Sequence, residues 1–250
     1  MKILSIGNSF SQDAHRWLYD ICKSAGKEIY NANLYIGGCT LYNHWNKFLS
    51  NEAAYEYQIK GETVKMISLK EALSAEKWDI VTFQQASGHS GRYDTYEPFL
   101  SDLYREVRLA CQNAKFYFHR TWAYETDFES EAFAFYNNDQ HYMYEAICDA
   151  SKKAAESLKL QVIPSGDVIQ YLRDNTNEFD YKNGGLLLCR EGVHLSYIYG
   201  RFAAALTWYC TLFGGKAADI DFVPKLEGET TDERLINIIK NAVDTVIEGK

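Results

Sequence analysis

The chain has 250 residues, 46% hydrophobic and 24% charged, a composition that supports a folded core and argues against intrinsic disorder. A formal net charge of -8 argues against nucleic acid and anionic membrane surfaces as partners, because both attract basic patches. No stretch reads as a transmembrane span, and no charged and apolar leader precedes the first predicted strand, so a cytoplasmic location is expected.

Lys2 to Ile6 is a short apolar run that reads as a buried strand. Gly7 and Asn8 follow, two residue types that tolerate the positive φ of a sharp turn, and Ser9 comes after them. A helix is expected from Ala14, with Trp17, Leu18, Ile21, Cys22 and Ala25 on one face and Gly26 as its stop. Residues 29–36 read as the second strand, closed by Gly37 and Gly38, and residues 41–49 as a short helix. Between about 53 and 68, apolar and polar residues alternate around Lys60 and Gly61, which predicts a β-hairpin inserted into the main pattern.

A helical turn or two over 69–74 leads to the third strand, 78–83, and then to Gln84, Gln85 and His89. A helix over 96–112, a strand over 115–119 and the residues Arg120, Trp122 and Tyr124 come next. Residues 124–138 read as irregular, 139–158 as a helix, 160–163 as the fifth strand, and Pro164 as the opening of a helix through Leu172. After a loop-rich stretch, His194 is expected to begin a strong helix ending at Gly214 and Gly215, and a last helix covers 232–247. There is no repeat, low-complexity run or linker, so one domain over 1–250 is expected. Strand and helix alternate throughout, which predicts an α/β fold with a five-stranded, doubly wound parallel sheet.

The strand-to-helix junctions of such a sheet share its carboxyl edge, where ligands bind. There they would collect Ser9, Gly37 and Gly38, Gln84 to His89, Arg120 and Trp122, with Glu191 and His194 arriving near the chain's end. That set holds a nucleophile, a base, a carboxylate to orient the base and donors for an oxyanion, which is what acyl transfer requires. Glu191 and His194 are three apart, so a formed turn lets the carboxylate hold one ring nitrogen while the other accepts a serine proton. Read singly, Ser9 is ordinary turn chemistry and Glu191 an acid at a helix start.

Gly7-Asn8-Ser9-Phe10-Ser11 after strand one, a glycine after strand two, a polar cluster after strand three and Glu191-x-x-His194 near the end resemble the SGNH (GDSL-like) hydrolases. The resemblance covers roughly residues 2–213 and looks closest to an uncharacterised bacterial branch. It implies a three-layer, flavodoxin-like α/β/α fold and ester hydrolysis without a cofactor. Residue by residue it makes Ser9 the nucleophile, His194 the base and Glu191 the orienting acid. The oxyanion donors it implies are the Ser9 and Gly38 amides, with Gly37 the neighbouring choice. Three departures stand out: Asn8 where Asp is usual, Glu191 where Asp is typical, and no Gly-x-Asn-Asp after strand three. Gln85, or else Gln84, replaces the missing asparagine as a side-chain donor.

Arg120, Trp122, Tyr124 and His89 are the expected substrate contacts, with a structural anchoring role the competing reading for the first three. Aromatic content (19 Tyr, 13 Phe, 5 Trp) suits a sugar platform and equally a bulky core. The expected partner is a small ester, with an O-acetylated sugar the leading class. A fold that kept its shape and lost catalysis, as a carbohydrate-binding or scaffold protein, is the alternative, and a thioesterase or lipase a weaker one. The six cysteines are spread without a C-x-x-C pair and read as free thiols. No H-E-x-x-H or comparable cluster calls for a metal, and no G-x-G-x-x-G or P-loop calls for a nucleotide.

Overall fold

The computed structural model describes residues 1–249. The chain divides into two compact units, each discontinuous in sequence: 1–12, 29–121 and 145–162 form the first, and 13–28, 122–144 and the residues from Ile163 onward the second. The elements in chain order are β1 (Lys2–Gly7), α1 (Ser9–His15), α2 (Leu18–Ser24), β2 (Tyr30–Tyr35), α3 (Leu41–Ser50), β3 (Tyr55–Ile59), β4 (Glu62–Ile67), α4 (Leu69–Ala75) and β5 (Ile80–Phe83). They continue with α5 (Phe99–Ala110), β6 (Lys115–His119), α6 (Glu131–Ala134), α7 (Gln140–Leu158), β7 (Gln161–Ile163), α8 (Ser165–Asn175), β8 (Cys189–Arg190), β9 (His194–Leu195), α9 (Tyr199–Phe213) and α10 (Glu233–Glu248). The division falls inside α1, α7 and β7.

Seven strands form the main sheet in the order β4-β3-β2-β1-β5-β6-β7. β2, β1, β5 and β6 run parallel, and the predicted hairpin adds β3 and β4 antiparallel at one edge. The fold is thus a mostly parallel sheet with helices, as expected, and the hairpin extends that sheet rather than standing off it.

The two faces of the sheet differ in chemistry. Side chains alternate along a strand, so Leu4 and Ile6, Ala32 and Leu34, and Val81 and Phe83 share one face. They pack with Leu41, Leu69, Leu73, Leu100, Leu103 and Val107 of α3, α4 and α5 into the core of the first unit. On the other face stand Ser5, Asn31, Asn33 and Thr82, all buried. Buried polar groups need partners, and here Thr82 Oγ1 donates to Ser5 Oγ at 2.9 Å and Asn33 Nδ2 to Gln58 Oε1 at 3.0 Å.

The second unit is built on α9, which packs against α2, α8 and α10. Sequence periodicity predicts one apolar face for α9. The structure buries Gly200 and every residue from Phe202 to Cys210, because helices surround it. His194 does not begin this helix. It lies in β9, which pairs with β8 in a separate two-stranded sheet.

Candidate active site

Ser9 is the first residue of α1, directly after central strand β1. The helix was expected to start at Ala14 and instead starts five residues earlier, because Asn8 caps it. Asn8 Oδ1 accepts from Phe10 N at 3.0 Å, and Asn8 O accepts from Gln12 N at 3.1 Å. The helix then breaks at Arg16 and Trp17 before α2. Neither Gly7 nor Asn8 adopts a positive φ. Gly7 is instead demanded by close approach, since a Cβ there would lie 2.1 Å from Ser11 Oγ and 3.3 Å from Gln84 Cδ. Ser9 itself is partly exposed, between buried Asn8 and Phe10.

Side-chain amides tie the junctions after β1, β2 and β5 together. Asn8 Nδ2 donates to Cys39 O at 3.2 Å, beside Gly38, which is exposed and has φ +62°. Gln84 Nε2 donates to Asn8 Oδ1 at 2.7 Å, and Gln84 Oε1 lies 3.0 Å from His119 Nδ1. Gln85 is used differently from the expectation. Its Nε2 donates to Thr95 O and Thr95 Oγ1 at 3.2 and 3.1 Å, while its Oε1 accepts from Leu41 N and Ala86 N at 3.0 and 2.8 Å. The Gln85 amide nitrogen is therefore engaged by the loop through two contacts, whereas the Asn8 bond takes one of the two hydrogens on Gln84.

Glu191 and His194 do meet, though through a hairpin turn and not a helix. Glu191 and Gly192 have φ of +54° and +75°, and Val193 N donates to Arg190 O at 3.2 Å. Positive φ at both central residues is the pattern of the tight turns that suit hairpins. It leaves His194 Nδ1 3.4 Å from Glu191 Oε2, with the Glu191 side chain 68% exposed and that of His194 30% exposed. So exposed a pair contributes little to stability; its use would be to orient the ring.

Residues that no motif revealed hold this hairpin within the second unit. Asp13, buried on α1, accepts from Leu195 N at 2.8 Å and from Arg201 Nε at 2.7 Å. Arg190 reaches the same carboxylate at 3.4 Å and also donates to Leu195 O. Glu125 Oε1 accepts from Cys189 N at 2.9 Å and pairs with buried Arg173 at 2.8 Å, while Glu125 N donates to Gly192 O at 2.8 Å. Asp13 and Leu195 are 182 positions apart, so no spacing rule could link them.

The expected substrate contacts divide. Trp122 is fully buried and donates through Nε1 to Val193 O at 2.8 Å, and Tyr124 is buried edge-on against Phe128 and Phe133. Both anchor the loop after β6 and the hairpin turn. Arg120 Nε donates to Ser151 Oγ of α7 at 2.7 Å. His89, half-buried in a short 3-10 turn, is held below the usual imidazole range by burial and by Arg92. All six cysteines are free. Cys39, beside Gly38, is a rival nucleophile by position, but burial pushes its thiol up to about 12, so it stays protonated at neutral pH. No group of three or more His, Cys, Asp or Glu among the described residues could hold a metal ion, and no helix among them is long and apolar enough to cross a membrane.

The family model described as "Domain of unknown function (DUF4886)" matches residues 2–246. The chain belongs to the DUF4886 family. A crystal structure of a DUF4886 family protein from Bacteroides uniformis is 34% identical, with a TM-score of 0.90 over 99% of this chain and 95% of that one. A candidate SGNH hydrolase from Slackia heliotrinireducens is 22% identical, covers 85% of this chain and 98% of its own, and has a TM-score of 0.59. A catalytic serine-to-alanine mutant of an acetylxylan esterase from Geobacillus stearothermophilus is 14% identical, with a TM-score of 0.55 over 90% of this chain and 97% of that one. No curated protein matches the chain. At these identities the last two show a shared fold: this DUF4886 protein has the hydrolase-like α/β fold of SGNH hydrolases.

Proposed function

We propose that this DUF4886 protein is a serine esterase acting on small acyl esters, with an O-acetylated carbohydrate as its substrate class. The observation that carries the reading is the position of Ser9. It is a partly exposed serine at the first residue of a helix, on the carboxyl edge of the central strand.

In this reading Ser9 Oγ attacks the ester carbonyl as His194 takes its proton through Nε2. Glu191 holds Nδ1. The tetrahedral oxyanion is met by the Ser9 and Gly38 amides and by the Gln84 hydrogen that Asn8 does not take. Collapse expels the alcohol, which receives the proton from His194. Water then enters by the same route in reverse and releases the acid. Gln84 replaces Gln85 as the proposed side-chain donor, because the Gln85 amide is held at both ends, by Thr95 at Nε2 and by Leu41 N and Ala86 N at Oε1. His89 is the proposed substrate contact on the edge.

The exposure of Glu191 favours one other reading, a binding protein that kept the fold without the catalysis. Hydrolysis of 4-nitrophenyl acetate separates the two. The esterase reading expects a rate for the wild type that Ser9→Ala loses by at least ~10³-fold. Equal rates for the two proteins would overturn it.

A further inference from the structure

Two backbone groups fix the orientation of both amides in the buried chain behind Ser9. The Phe10 N–H can only donate, so the Asn8 atom it meets at 3.0 Å is the oxygen Oδ1. That oxygen also faces Gln84 at 2.7 Å, so the group Gln84 presents there is its NH2. Gln84 must then turn Oε1 toward His119, whose Nδ1 lies 3.0 Å away. An amide oxygen only accepts, so His119 carries its proton on Nδ1. At the far end, Asn8 Nδ2 donates to the Cys39 carbonyl, which also only accepts. Flipping either amide, or moving the proton off Nδ1, sets two donors or two acceptors against each other. His119 is 0% exposed, and Asn8 and Gln84 are each 1% exposed, so water cannot repair such a mismatch.

We propose that His119 is a positioning residue for the esterase reaction. Its Nδ1–H fixes the orientation of Gln84, which fixes Asn8, which caps the helix that begins with the nucleophile. The inference rests on the reading of Ser9 as nucleophile. His119 acts in this scheme through the two amides. It orients at once the turn bearing Ser9 and the Gln84 amide offered to the oxyanion. The relay also calls for Asn rather than Asp at position 8. A carboxylate would still accept from Phe10 and Gln84, but its second oxygen would face the Cys39 carbonyl with no hydrogen between them.

The test is steady-state hydrolysis of 4-nitrophenyl acetate by wild type, Ser9→Ala, His119→Ala, His119→Asn and Gln84→Glu, with thermal melts of each. Misplacing a reacting group by about 1 Å costs up to ~10²-fold. His119→Ala is therefore expected to lower kcat by ~10- to 100-fold with KM within about twofold, the pattern of a lost transition-state interaction. His119→Asn places an amide N–H near the old Nδ1 and is expected to recover most of that loss. Gln84→Glu keeps the shape, puts an acceptor against Asn8 and also removes the oxyanion hydrogen, so it is expected to fall at least as far as His119→Ala, and it gives a readout where His119→Ala does not fold. A folded Gln84→Glu at wild-type kcat, or His119→Asn no better than His119→Ala, would overturn the relay. Wild type no faster than Ser9→Ala would instead remove the nucleophile reading on which the relay depends.

Discussion

At the residue scale, the site depends on which atoms can donate. Asn8 is the clearest case, because its amide accepts from Phe10 and Gln84 and donates to Cys39 at once. Asn8→Asp is expected to lower kcat on 4-nitrophenyl acetate by ~10-fold or more. Glu191 is a different case. Its side chain is 68% exposed and its carboxylate lies 3.4 Å from the imidazole, so water can replace much of what it does. Glu191→Gln is expected to cost no more than ~10-fold in kcat, well under the loss in His194→Ala. Cys39 is expected to be a bystander, with its thiol held up to about 12 by burial. Activity at neutral pH should survive Cys39→Ser and treatment with N-ethylmaleimide. The meeting of Glu191 and His194 was legible in the sequence because the two stand three positions apart. The roles of Asn8 and Gln84 were not, because a side-chain donor is assigned by what it faces, and Thr95, His119 and Cys39 are distant in sequence.

At the element scale, the hairpin of β8 and β9 is the part that local pattern misjudged. Leu195, Ile198 and Phe202 fit a helical stripe, and strands of two residues are too short to show an alternation. What makes the hairpin is the turn, where Gly192 has φ +75° and a Cβ would lie 2.4 Å from Phe128 Cδ2. Gly192→Ala combines a left-handed backbone, worth roughly 1–2 kcal/mol against a side chain, with that clash. It should lower the urea midpoint and kcat together. Asp13 is the other support, 1% exposed at its side chain and facing two arginines. Asp13→Ala leaves Arg201 without its partner and is expected to destabilise by about 3–5 kcal/mol in urea titration. The start of α1 was misplaced for a related reason, since an asparagine cap has no apolar period. The longer elements, α7, α9 and α10, were readable because each repeats its apolar spacing over several turns.

At the scale of the whole molecule, two buried histidines set a pH dependence for folding. His15 packs edge-on against Trp208 with ring centroids 5.0 Å apart, and His44 bonds the Tyr55 hydroxyl through Nδ1 at 2.9 Å. Burial lowers each of them to about 3. Above the ordinary imidazole value of about 6.5 both are neutral in the folded and unfolded chain alike. As pH falls below that value the unfolded chain takes up protons that the folded chain refuses, so this contribution to stability is lost progressively toward pH 3. The melting temperature is expected to fall between pH 7 and pH 4, and less steeply in His44→Phe, which keeps the ring beside Tyr55 without the titration. An unchanged slope in that variant would count against the assignment for His44. The alternation of strand and helix made the parallel sheet predictable from sequence, while the polar network on its second face, with Asn33, Gln58, Thr82 and Ser5, was hidden because a lone polar residue in a strand does not name its partner.

The central claim is that Ser9 is a nucleophile activated by His194. Reaction with a fluorophosphonate followed by peptide mass spectrometry tests it most directly. The account predicts a single covalent adduct on Ser9, formed by the wild type and lost or slowed by ~10²-fold or more in His194→Ala. No adduct, or an adduct at another residue with Ser9 untouched, would contradict it.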